Sequence, residues 1–204
     1  MFITAKYKVH RTKGNREMIL ENEKIKQALE YIKEEDPATT QDTLNMCQIP
    51  APSYKEEKKA EYIRERFREI GLRDVRIDAV GNVLGIWPGT DEGPSVMLAA
   101  HTDTVFPEGT DLSIRKEGNR YYCPGINDDT HAVAEMIAVA KAMIHADLHT
   151  KGDLIFCANV CEEGLGDLRG VKYLFGYDNK ASEEYPEVDA FVSIDNQYTG
   201  GVIY

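Results

Sequence analysis

Apolar positions along the chain fall into two rhythms. Over residues 21–35, Leu20, Ile25, Leu29 and Ile32 form one stripe among charges, which predicts an amphipathic helix. Asp36-Pro37 is expected to end it, because the residue before proline is pushed out of helical geometry. Ala60, Ile63, Phe67 and Ile70 mark a second such helix, with Ser53 as its cap and Gly71 as its stop. The rhythm then changes. Residues 75–79 and 83–87 flank Val80-Gly81-Asn82 like a hairpin, although the turn lacks the favoured Asn-Gly order. Residues 95–100, 154–160 and 189–194 are almost wholly apolar, as strands buried on both faces should be, and 112–123 is a weaker β region. Residues 130–144 carry two overlapping apolar stripes and are predicted to form a helix buried on most sides. Strands alternating with helices indicate a layered α/β fold.

Composition adds bounds. The 204 residues are 42% hydrophobic and 29% charged, which fits one globular domain or part of a larger one. A net charge of −11 argues against a nucleic-acid partner, which would need a basic face. No stretch approaches the ~20 apolar residues of a membrane span, and no apolar signal region follows the start. The first sixteen residues carry only basic charges (Lys6, Lys8, Arg11, Lys13, Arg16) and read as a solvated leader. Four scattered cysteines make neither a disulfide framework nor a paired thiolate site, so a reduced, cytoplasmic setting is expected.

The chemistry lies where the apolar runs stop. His101-Thr102-Asp103, Cys161-Glu162-Glu163-Gly164 and Ser193-Ile194-Asp195 each end or follow a strand-like segment, while Asn127-Asp128-Asp129 opens the buried helix. In an open α/β sheet, ligands bind at the carboxyl ends of the strands. Acids gathered there repel one another unless a cation lies between them. His101 suits a metal ion, and Asp103, two residues on, suits the hydrogen bond that orients a ligating imidazole. The Asp128-Asp129 pair permits a carboxylate that bridges two ions; taken alone it reads better as helix capping, with one of the two as the cap. Glu162 and Glu163 point oppositely in an extended segment, so one can bind metal while the other acts as a general base. Asp195 alone would be a turn residue and gains weight only from the other three clusters.

Two further patterns compete. The glycine run over 164–170 follows a strand and approximates a dinucleotide fingerprint, but its last glycine falls one position late and two glutamates precede it. His145 and His149 have the spacing of a helical zinc pair without the intervening glutamate, and fit a helix C-terminus better.

Taken together, the clusters resemble the co-catalytic zinc metallopeptidase superfamily, which includes carboxypeptidase G, peptidase T, aminoacylase, acetylornithine deacetylase and succinyl-diaminopimelate desuccinylase. The resemblance runs from about Asp42 to the end and includes Asp78-Ala79-Val80-Gly81-Asn82-Val83 and Gly125-Ile126-Asn127-Asp128-Asp129. It implies a three-layer, mostly parallel sheet flanked by helices. It implies two divalent ions, zinc foremost with cobalt or manganese as alternatives. His101 and Asp195 would hold one ion, Asp128 would bridge, Glu163 would hold the second, Glu162 would be the base and Asp103 would orient His101. The implied reaction is hydrolysis of an amide in a peptide or N-acyl amino acid, in a protein that dimerises when full length.

The sequence departs from that pattern at Thr130-His131, where Lys-Gly or Arg-Gly is usual, and at Asn196, which replaces a common glycine. The family's last histidine ligand and its lid or dimerisation domain have no counterpart before Tyr204. Residues 1–36 are therefore expected to form a leader and helix, and 37–204 the N-terminal portion of a catalytic domain that binds its second ion poorly. A non-catalytic fragment that pairs with a complementary polypeptide is the competing function, and a dinucleotide-dependent oxidoreductase the third.

Overall fold

The computed structural model describes residues 19–177 and 188–195; the basic leader and Asn196 lie outside them. Three helices come first: α1 (Glu23–Glu34), α2 (Asp36–Cys47) and α3 (Glu57–Glu69). Strands β1 (Arg73–Ile77), β2 (Val83–Trp87) and β3 (Val96–His101) follow, then a small hairpin of β4 (Arg115–Glu117) and β5 (Arg120–Tyr122). A π-turn, Ile126–Thr130, leads into α4 (His131–His145), and β6 (Leu154–Asn159), α5 (Arg169–Leu174) and β7 (Ala190–Ser193) complete the order.

Five strands form one sheet in the order β1-β2-β6-β3-β7. Pairing of β6 with β3 and of β3 with β7 is parallel, whereas β1–β2 and β2–β6 are antiparallel. Alternation along the strands sorts the core into two layers. Val83, Ala100, Phe156 and Ala158 pack with Ile63, Phe67, Met136 and Ile137 of α3 and α4. Leu84, Met97, Ala99, Ile155 and Cys157 face the other way and meet Leu174 of α5. The expected three-layer α/β arrangement is present, with the parallel strands on one side of β6 and the antiparallel ones on the other.

The first helix does end before Asp36-Pro37, since α1 stops at Glu34, and proline then sits in the first turn of α2, where its missing N–H is no loss. One local expectation changes. Ser53 does not cap α3, whose N-cap is Glu56; its hydroxyl donates instead to Asp103 Oδ2 at 2.6 Å. The 78–82 turn is knotted by Asp78, whose Oδ1 accepts from the backbone N–H groups of Val80, Gly81 and Asn82. Asn82 then reaches across to Gly170 O and Val160 N, fastening the hairpin to the end of β6. A Cβ on Gly170 would lie 2.3 Å from Asn82 Oδ1, and one on Gly166 would lie 2.7 Å from the Cys161 backbone. Close packing accounts for Gly166 and Gly170, two of the three glycines in the run that approximates a dinucleotide fingerprint. His145 and His149 likewise part company: one stacks on Tyr31 and the other on Trp87.

Candidate metal centre

His101 ends β3, the Glu162-Glu163 pair follows β6, and Asp195 follows β7, so three parallel strands deliver their polar ends to one place. Asp128 and Asp129 enter from the π-turn before α4. Two groups of donor atoms lie within 4.8 Å of one another: His101 with Asp128 and Glu163, and His101 with Asp129 and Asp195. All four residues expected to hold metal are therefore brought together, and Asp129 joins them.

His101 is held from both sides. Its Nδ1 stands 3.0 Å from the Asp103 carbonyl oxygen and 3.5 Å from Asp103 Oδ1, which leaves Nε2 to face Asp128 Oδ1 at 2.9 Å. Asp103 has a wider task than orienting one imidazole. Its carboxylate accepts the Ser53 hydroxyl and the backbone N–H groups of Glu162 and Glu163 at 2.9 and 3.2 Å. A single buried carboxylate thus fixes the loop that carries both glutamates.

Neither aspartate of the pair caps α4. Thr130 is the N-cap residue, without a side-chain cap bond, and Asp128 and Asp129 have non-helical backbone angles. Asp129 turns inward, where its Oδ2 accepts from the His101 backbone N–H at 3.1 Å and its buried Oδ1 has no hydrogen-bond partner among the described residues.

Electrostatics follow from this crowding. Burial pushes the Asp129 carboxyl up to about 8, with Asp195 and Asp128 adding to the effect. Burial opposes charge on His101, but hydrogen bonding to Asp103 and the charges of Asp129, Asp103 and Glu162 outweigh it and raise the imidazole to about 9. Glu162 and Glu163 are raised by burial and by neighbouring acids. Asp103 goes the other way: burial works against its charge, yet the His101, Ser53, Glu162 and Glu163 hydrogen bonds hold it below the usual carboxylate range. A cluster of acids that push one another toward the neutral form around one imidazole, with a buried carboxylate oxygen left open, fits divalent cations.

Supporting residues come from the α3 end of the chain. Ser53, Glu56 and Lys59 stand three residues apart and reach three different segments. Ser53 holds Asp103; Glu56 Oε1 accepts from Cys161 N at 3.0 Å; Lys59 Nζ donates to Thr102 O and Thr130 Oγ1 at 3.2 and 3.1 Å. Burial raises Glu56 and lowers Lys59 to about 8. Sequence reading missed the roles of all three. The available signal was register: Glu56 and Lys59 precede Ala60 and Ile63 by four residues and so lie in line with the apolar stripe.

The sequence profile of peptidase family M20/M25/M40 matches residues 97–202, just over half of the chain and the span that carries every clustered acid. The chain belongs to that family. It is 29% identical over 164 residues to the succinyl-diaminopimelate desuccinylase of Corynebacterium glutamicum, a match covering 79% of this chain and 42% of that protein. The fold is similar to that of the di-peptidase Dug1p from Saccharomyces cerevisiae, with a TM-score of 0.65 at 19% identity over 85% of this chain and 41% of the other. It is also similar to a dinuclear metal binding peptidase of the M20 family from Bacillus subtilis, with a TM-score of 0.54 at 16% identity over 81% and 44% of the two chains. The chain spans less than half the length of each of these relatives. Among the described residues, no helix is long and apolar enough to cross a membrane.

Proposed function

We propose that this chain carries the metal-binding half-site of a two-ion amide hydrolase acting on a peptide or an N-acyl amino acid. The observation that carries the reading is the meeting of His101, Asp128, Asp129, Glu163 and Asp195 at the carboxyl ends of β3, β6 and β7. His101 and Asp195 would hold one ion, Glu163 would hold the second, and Asp128 would be the carboxylate shared by both. When bound, such ions supply Lewis acidity toward a carbonyl and lower the pKa of water.

The chain's own residues do the rest. Glu162 takes a proton from the attacking water and passes it to the leaving amine. Burial and nearby acids raise its carboxyl, which brings it closer to the working range of a general base. Asp103 stays ionised and keeps the His101 ring turned so that Nε2 faces the cluster, while its hydrogen bonds to the Glu162 and Glu163 N–H groups set where the base stands.

Metal content tests the reading. After loading with zinc and exhaustive dialysis, elemental analysis is expected to find at least one ion per chain. Asp128→Ala is expected to lose it, and Glu162→Ala to keep it while losing hydrolysis of dipeptides and N-acyl amino acids in the enzyme that shows it. A wild-type chain that binds no divalent ion, or equal metal loss in both variants, would show the roles to be wrong.

A further inference from the structure

Among the described residues Lys59 is a long, charged side chain that is only 2% exposed to solvent. Its stripe position on α3 is flanked by Ala60 and Ile63, so an apolar residue would satisfy packing there. An ammonium in such a place is costly unless surrounding groups compensate. Both acceptors of Nζ are uncharged, yet each belongs to a segment that carries the metal centre. Thr102 O lies between His101 and Asp103, and Thr130 Oγ1 follows Asp128-Asp129 directly. The buried carboxylates of Asp103 and Asp129, both fully excluded from solvent, lie near enough to act on the ammonium through their charge.

We infer that Lys59 is a positioning residue of the metal centre: its buried ammonium clamps the end of β3 to the π-turn and offsets the charge of Asp103 and Asp129 from beneath. Without it, two acid-bearing segments that repel each other would be held through His101 alone, by its N–H bond to Asp129 and the contact of its Nε2 with Asp128. The ammonium also repels an incoming cation. Its net effect on metal binding therefore depends on whether alignment of the ligands or that repulsion dominates, and the clamp requires alignment to win. This inference rests on the two-ion reading of the same site.

The test uses the whole 204-residue chain, with Zn2+ alone followed by titration calorimetry and thermal unfolding, and Co2+ followed by its visible absorption. In Lys59→Met, of similar length and no charge, zinc affinity is expected to fall ~10- to 100-fold, the usual consequence of losing a residue that supports metal ligands. The cobalt bands are expected to change intensity with the altered ligand geometry. A second variant returns the charge from the opposite side: in Lys59→Ala/Thr130→Lys the new side chain starts where Thr130 Oγ1 now meets Nζ at 3.1 Å, and affinity is expected to recover at least tenfold over Lys59→Ala. Affinity in Lys59→Met equal to or above that of the parent overturns the inference. Should Lys59→Met not fold, the double variant decides, and a folded double variant that binds no zinc overturns it equally. Failure of the two-ion reading looks different: there, the parent chain and Asp128→Ala would be alike in binding no zinc.

Discussion

His101, Asp103 and Asp129 at the buried base of the cluster, and Glu162, Glu163 and Asp195 at its more exposed rim, are held in different ways. The first three are 3%, 0% and 0% exposed, and their polar atoms are tied to Ser53, to the backbone of the glutamate loop and to one another. The second three stand half-buried or, for Asp195, exposed. The difference teaches where restraint is needed. Buried ligands with fixed hydrogen bonds are pre-aligned before any ion arrives. Of the acids at the rim, Glu162 and Glu163 are pinned by Asp103 through their backbone rather than through their side chains.

The comparison breaks most severely at Asp103. Asp103→Ala leaves the Glu162 and Glu163 N–H groups and the Ser53 hydroxyl without their acceptor, and stability is expected to drop by about 3 kcal/mol or more in urea unfolding. A drop below about 1 kcal/mol would mean that the buried half is no better restrained than the rim.

A pH series sharpens the same contrast. In the metal-free chain His101 is raised to about 9 and Asp129 to about 8, so the folded state keeps protons that the unfolded state has already released. Stability should therefore fall as pH rises from 5 to 8, with the two groups titrating as one coupled site and a total effect of a few kcal/mol. This window lies at or below the value near which Lys59 titrates, so its opposite contribution has not yet begun. Thermal melts with chelator should show the decline, and saturating zinc should flatten it. A flat metal-free profile would remove the electrostatic basis of the comparison.

The smallest effect belongs to the rim. Asp195→Asn should change metal-free stability by no more than about 0.5 kcal/mol, as surface substitutions usually do. Its signature is a smaller thermal shift on adding zinc. A large loss of stability in the metal-free chain would place Asp195 among the structural acids instead.

Much of the site was legible because strand ends are legible. An almost wholly apolar run that stops at His101, or shortly before Glu162 or at Asp195, announces a buried strand and the polar tip that follows it. The helix 36–47 was not. It buries Asp42 and Thr43 beside Leu44 and Met46, so no apolar stripe marks its inward face. Lys59 and Glu56 were hidden for the opposite reason, since α3 is so rich in charge that two buried charges look like two more solvated ones. Asp129 was misjudged because helix capping and inward burial ask for the same residue type at the same place. Strand direction was equally hidden. A strand buried on both faces reads the same whether its neighbour runs with it or against it, so nothing in residues 83–87 announces that they oppose 154–158.

That antiparallel pairing has a consequence for how the molecule is made. At the centre of the sheet, β2 waits for β6, and between them the chain must complete β3, the small hairpin, the π-turn and α4. Such a long closure is slow relative to local contacts. During synthesis, β1, β2 and β3 emerge with their hydrogen-bonding edges open, and only the arrival of residues 154–159 joins them into one sheet. The same strand that unites the sheet also leads directly into Glu162 and Glu163. A nascent chain that has not yet gained its central strand therefore has not brought Glu162 and Glu163 to the cluster, and the set of donor atoms is complete only once the fold has closed.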